Sequence, residues 1–185
     1  MASNEEQRLI RLLKNDPQRM EVLQVVASLA IPDCWLAAGF VRNLVWDDLH
    51  HKKTDLNDVD VLYYSQSDVH GQLADDATRR LQALLPKVNW QVKNQALMHK
   101  KLQHSQYLST ADAMTFWPEQ ETAIAVKIDE KGCFCILAPF GLSSLFELRI
   151  TLNPKGNEQV FWQRIAQKSW LSIWPKLVVN SHQRK

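Results

Sequence analysis

The chain is poor in cysteine, in long apolar runs and in net charge, and each shortage excludes something. Its three cysteines, Cys34, Cys133 and Cys135, form no Cys-x-x-Cys pair and have no histidine at zinc-finger spacing. A disulfide framework and a structural zinc site are therefore not expected, and the sparse thiols suit a reducing cytoplasm. No run approaches the roughly 18 consecutive apolar residues that a membrane-spanning helix needs. The opening "MASNEEQRLIRLLKND" carries acids and is amphipathic, unlike a signal or transit peptide. A formal net charge of +2 gives no general affinity for polyanions, so nucleic acid is possible as a partner only through a local patch. Repeats, low-complexity tracts and Pro/Gly/Ser-rich linkers are also missing. With 45% hydrophobic and 23% charged residues, the 185 residues are expected to make one ordinary folded domain.

The patterning predicts N-terminal helices within residues 5–30, a core over 34–154 and a C-terminal helical segment over 157–178. Leu9, Ile10, Leu12 and Leu13 share a face of a first helix, which "NDP" closes. A second helix starts at Pro17 and carries Met20, Val22, Leu23, Val26 and Leu29. "CWLAAG" reads as a short buried strand, "FVRNLVWDDLH" as a helix, and "DVDVLYY" as a strand. A helix over 67–85, a strand at "VNWQVKN" and short helices at "QALMHKKLQ" and "STADAMTFW" follow. "TAIAVKIDEKGCFCILAPF" alternates on both sides of a turn over 129–132, as a hairpin does. This order predicts an α+β fold with a mixed sheet flanked by helices.

Asp58 and Asp60 are the first chemical signal. Two residues apart on a strand, their carboxylates point to one face while Val59 faces the core. Such a pair repels unless a cation lies between, and hard oxygen ligands suit Mg²⁺ or Mn²⁺. The same pair could equally be the solvated start of a strand. The second signal is "AAGFVRN". Gly39 sits where a strand turns into a helix whose first N–H groups lack partners, so an anion fits there. Arg42, in the first turn, adds a guanidinium suited to phosphate. A phosphate cradle ahead of a two-carboxylate strand is the layout phosphoryl transfer needs.

Together, Gly-x-Val-Arg-Asn at the head of a helix and Asp58-Val59-Asp60-Val61 resemble the nucleotidyltransferase superfamily of DNA polymerase β and the CCA-adding enzymes. More specifically, the chain resembles a small bacterial nucleotidyltransferase-like family, long catalogued as a domain of unknown function. The shared stretches stand here at 38–47, 56–61, 94–99 and 138–154. The resemblance implies a minimal nucleotidyltransferase fold and Mg²⁺- or Mn²⁺-dependent transfer of a nucleotidyl group from a nucleoside triphosphate to an unspecified acceptor. Asp58 and Asp60 would hold the metal and carry catalysis, with Gly39, Arg42 and Asn43 at the phosphates. Ala38 stands where a second glycine is usual in the CCA-adding enzymes, and Asn43 where they have aspartate. A third carboxylate common on a later strand has its counterpart at Gln91, which cannot ionise. Glu119, Glu121 and Asp112 are left as substitutes. The alternative is therefore a non-catalytic nucleotide sensor or protein-binding module on the same fold.

Several residues carry two readings. Asn94 caps a helix or, with Gln95, touches a base or ribose; His99 lies on a half-exposed face or near a phosphate. Lys52 and Lys53 are a solvated loop or a grip on polyphosphate. Arg149 pairs with Glu147 or reaches the triphosphate. Trp46 is expected in the core. Trp162, Trp170 and Trp174 have a helix-face spacing suited to packing or to a contact between copies of the chain. The tail "SHQRK" is expected to be disordered.

Overall fold

The computed structural model describes residues 3–181; the expectation for the last four tail residues lies outside them. Two helices come first. In α1 (Asn4–Lys14), Ser3 and Glu6 form a reciprocal cap, each side chain bonding the other's backbone N–H. In α2 (Pro17–Ala27), the Asp16 carboxylate caps the first turn and Pro17 takes the position where a missing N–H does no harm.

Next come β1 (Trp35–Ala37), α3 (Gly39–His50), β2 (Asp58–Tyr63), α4 (Gln72–Leu84) and β3 (Asn89–Asn94). Short α5 (Gln95–Leu102) and α6 (Thr110–Met114) lead to the hairpin β4 (Ala125–Ile128) and β5 (Phe134–Leu137). These strands form a five-stranded sheet in the order β3-β2-β1-β4-β5. β2 and β3 run parallel, while β1 is antiparallel to both neighbours, so the sheet is mixed. The fold is α+β, a mixed sheet flanked by helices.

The two faces of the sheet differ. Val59, Val61 and Tyr63 of β2, with Leu36 and Val126, pack against Leu9, Leu23, Val41 and Val45 of the helices. Trp35, Ala37, Leu62 and Ala125 face the other way, onto Met114 and Ala123. Asp58 and Asp60 share this second face at the start of β2, ahead of the point where Leu62 becomes covered.

The C-terminal region departs from the expected single helical segment over 157–178. "LSSLFELRI" splits into a helical turn, α7 (Ser143–Phe146), and a strand, β6 (Arg149–Thr151). α8 (Glu158–Gln167) stops, Ser169 takes a left-handed φ of 53°, and α9 (Trp170–Ile173) follows as a separate turn. β7 (Val178–Asn180) then pairs in parallel with β6. Among the described residues no helix is long and apolar enough to cross a membrane.

Candidate active site

The cradle is built where β1 runs into α3. Ala38 has φ 56° and ψ −123°, a conformation natural to glycine and strained for any residue with a Cβ. The surroundings hold it there. Its N–H donates to the Ile124 carbonyl at 2.9 Å, and its own carbonyl accepts from the N–H groups of Val41 and Arg42. α3 then opens without a side-chain cap. A Cβ on Gly39 would meet only Asn43 Nδ2 at 3.4 Å and Arg42 Nη2 at 3.7 Å, ordinary contact distances. Gly39 is thus not required by its protein neighbours, and the space over it belongs to a cavity of about 480 Å³. That is a size suited to a small ligand.

Across the cavity lie Asp58 and Asp60. Register pairs Asp58 with Asn89 and Asp60 with Gln91 on β3. Asn89 Nδ2 donates to Asp58 Oδ1 at 2.5 Å, and Lys93 Nζ lies 2.7 Å from Asp60 Oδ1. Each carboxylate keeps its Oδ2 unengaged among the described residues. No cluster of three or more His, Cys, Asp or Glu side chains there is arranged to hold a metal ion. Gln91 occupies the register position opposite Asp60, and none of the three acids considered as substitutes is in the cavity lining. Glu119 receives Arg164 in a two-point ion pair, Glu121 accepts the Thr151 N–H at 2.7 Å, and Asp112 accepts the Leu108 N–H. Burial raises the Glu121 pKa above its ordinary value. Two carboxylates with open oxygens, and no third, suit a hard cation that takes the rest of its shell from phosphate oxygens and water.

Arg42 is the most constrained cation in the site. It is 5% exposed, with Nη1 donating to Thr122 Oγ1 at 2.6 Å and both Nε and Nη2 donating to Asn43 Oδ1. Its guanidinium lies against two indoles, 4.8 Å from the Trp46 ring centroid and 4.4 Å from that of Trp170. Burial pushes its pKa down to about 10, while Glu119, Asp60 and Glu121 act to keep it charged. Trp46 in turn meets Trp170 and Trp174 edge-on, and Trp174 Nε1 donates to Asp47 at 2.8 Å. Two of the three C-terminal tryptophans are therefore internal, and only Trp162, 43% exposed, stays at the surface. Their packing sets the C-terminal segment as a cavity wall, adding Arg164, Lys168 and Trp170 to its lining.

Of the residues singled out from sequence, Gly39, Arg42, Asn43, Asp58, Asp60 and Gln95 line this cavity. Asn94 and His99 do not. Asn94 is buried, and its amide is spent on structure: Oδ1 accepts from Ser65 and Ala96 N–H groups, Nδ2 donates to the Ser65 and Asp68 carbonyls. His99 Nδ1 meets the Ala96 carbonyl at 2.8 Å, with its ring edge-on to Tyr107. Lys52 is bound to the Ile173 carbonyl, and Arg149 pairs with exposed Glu147. Sequence reasoning passed over Lys93, Thr122, Arg164 and Lys168. Of these only Lys93 carried a usable signal, standing two residues beyond Gln91 on one strand face.

The sequence matches the family described as Nucleotidyltransferase over residues 24–179. A search of curated proteins returned no match. Among solved structures, one solved by NMR and described as revealing a CCA-adding enzyme head domain has a TM-score of 0.84 at 28% identity, covering 95% of each chain. The Thermotoga maritima CCA-adding enzyme complexed with tRNA has a TM-score of 0.60 at 14% identity, covering 94% of this chain and 42% of that one. A CCA-adding enzyme complexed with CTP gives 0.55 at 14%, over 91% and 40%. The chain thus spans well under half the length of those two enzymes, which share its fold. Matched over most of its length, the chain belongs to the nucleotidyltransferase family.

Proposed function

We propose that the protein transfers a nucleoside monophosphate from a nucleoside triphosphate to an acceptor, with Mg²⁺ or Mn²⁺ as cofactor. One observation carries this reading: the uncapped start of α3 and the Asp58–Asp60 face line the same cavity. The triphosphate enters with its phosphates against the backbone at Gly39, where the helix terminus favours negative charge. Arg42 neutralises them from a fixed position, with Asn43 bracing its guanidinium. Asp58 and Asp60 offer their open oxygens to the metal, which when bound supplies Lewis-acid neutralisation of the charge developing on the phosphates. The acceptor attacks the α-phosphorus in line and pyrophosphate leaves.

A second reading has an observation in its favour. Gln91 stands opposite Asp60, and among the described residues no third acid joins the pair. A nucleotide sensor on this fold would need no group to accept a proton from an acceptor hydroxyl.

The test is incubation with each of four α-labelled nucleoside triphosphates, Mg²⁺ or Mn²⁺ and a cell extract, beside the Asp60→Asn variant. Label transferred by the wild type and lost in the variant supports the transferase. Triphosphate binding with no label in any arm supports the sensor. Metal-dependent nucleotide binding unchanged by Asp60→Asn would refute the assigned metal site.

A further inference from the structure

Asp58 and Asp60 present two negative charges on one strand face, and something must balance them when the site holds no divalent ion. β3 supplies the balance. On the face shared with the acids it places Asn89, Gln91 and Lys93 at alternate positions. Asn89 and Gln91 are neutral amides. Only Lys93 brings a charge, and it does so across the register: its Cα partner is Leu62, yet its ammonium reaches back to Asp60 Oδ1 at 2.7 Å.

We propose that Lys93 is an exchangeable counter-cation. It neutralises Asp60 in the empty protein and, when the metal arrives, moves from the carboxylate to the phosphates of the incoming triphosphate. This rests on the nucleotidyl-transfer reading of the site. Three observations lead to it. A lysine ammonium and a divalent ion cannot share Asp60 Oδ1 without strong repulsion, so loading the metal must release the lysine. Lys93 is free to leave, because its side chain is 42% exposed and Asp60 is its one ion-pair partner among the described residues. And the cavity it would swing through is the one bordered by Arg42 and Gly39. A lysine suits this better than arginine: it is a point charge on a flexible four-carbon stem, with no planar fork to realign.

The arrangement makes a prediction of opposite signs. Removing the ammonium frees Asp60 for metal but takes one positive charge from the phosphate site. Lys93→Met should bind Mn²⁺ alone about tenfold more tightly than the wild type and, once saturated with Mn²⁺, nucleoside triphosphate about tenfold more weakly. Lys93→Arg, which keeps the charge, should shift either affinity less than Lys93→Met does. Electron paramagnetic resonance of free Mn²⁺ reads the first and calorimetry the second, with circular dichroism confirming that both variants are folded. Both affinities unchanged in Lys93→Met, or both shifted in the same direction, would overturn the exchange. The two levels of failure differ: a wild type that binds no triphosphate sinks the functional reading along with this one. A wild type that binds it as well as Lys93→Met does sinks the exchange alone.

Discussion

Replacing Arg42 by methionine should cost little stability while removing most of the affinity for nucleotide. A buried arginine is ordinarily expensive to delete, at about 3–5 kcal/mol where a buried partner charge is left behind. Arg42 differs because no carboxylate is bridged to it among the described residues; the nearby Glu119 keeps Arg164. Burial holds its pKa below the ordinary arginine value, at about 10, which corresponds to about 3 kcal/mol of unfavourable burial of the charged form. Because both values lie above neutrality, the group is charged in the folded and unfolded chain alike at pH 7, and the whole of that penalty is present. Against it stand the bond to Thr122, worth about 2 kcal/mol as a charge-assisted contact, the fork onto half-buried Asn43, about 1 kcal/mol because water can replace it, and the two indole contacts, about 1–2 kcal/mol together. Methionine keeps part of the indole packing through its thioether. Most of the penalty and gain offset, so stability should fall by less than about 2 kcal/mol, a shift in Tm of under about 8 °C for a chain of this size.

Binding should respond differently. Losing charge-assisted contacts to phosphate, about 2–3 kcal/mol, corresponds to roughly 30- to 100-fold in affinity. Urea unfolding followed by tryptophan fluorescence measures the first quantity, and calorimetry with a Mg²⁺–nucleoside triphosphate measures the second. A loss of about 3 kcal/mol or more would mean that Arg42 is a strut against Trp46 and Trp170. Unchanged binding would remove it from the phosphate site.

Gly39→Ala adds a methyl that meets no protein atom closer than 3.4 Å, so Tm should hold or rise slightly, while nucleotide affinity falls about tenfold. Calorimetry beside a melting curve checks both halves, and an unchanged affinity would place the phosphates away from this backbone. Glu121→Gln tests the buried acid whose pKa burial raises above 4.5. A raised folded pKa means that the stability tied to the neutral acid is fully present below 4.5 and is lost as pH rises through the folded value. Urea titrations from about pH 4 to 8, upward from the ordinary carboxylate range, should show the variant gaining on the wild type over that window, and parallel profiles would contradict the sign.

How much of this was legible in sequence depended on how local each cause was. Asp58, Val59 and Asp60 announced a two-faced strand because period-2 geometry is a property of the strand itself. Gly39 announced a strand-to-helix turn for the same reason, although the positive φ fell one residue earlier, at Ala38. Asn94 was read both as a cap and as a ligand contact; its four structural hydrogen bonds decide for the cap. The spacing of Trp162, Trp170 and Trp174 suited one helix face, but Ser169 separates α8 from α9, leaving Trp162 exposed while Trp170 and Trp174 are buried. Periodicity presumes one continuous helix and is blind to a break inside the pattern.

The least legible feature was electrostatic. A net charge of +2 promised no basic patch, yet Arg42, Lys93, Arg164 and Lys168 line one cavity where, among the described residues, Asp58 and Asp60 are the acids in the lining and Glu119 sits behind Arg164. The excess is hidden in the total because most acids lie elsewhere. Glu5 and Glu6 are in the first turn of α1, Asp75 is in the first turn of α4, and Asp76 pairs with Arg79. Net charge sums over the whole surface, whereas a ligand feels the few groups within about one Debye length, roughly 8–10 Å. Segregation of this kind, assembled from strand, helix and C-terminal wall, cannot be read until the fold brings the pieces together. It is also what lets a nearly neutral chain offer a polyanion one favourable place to bind.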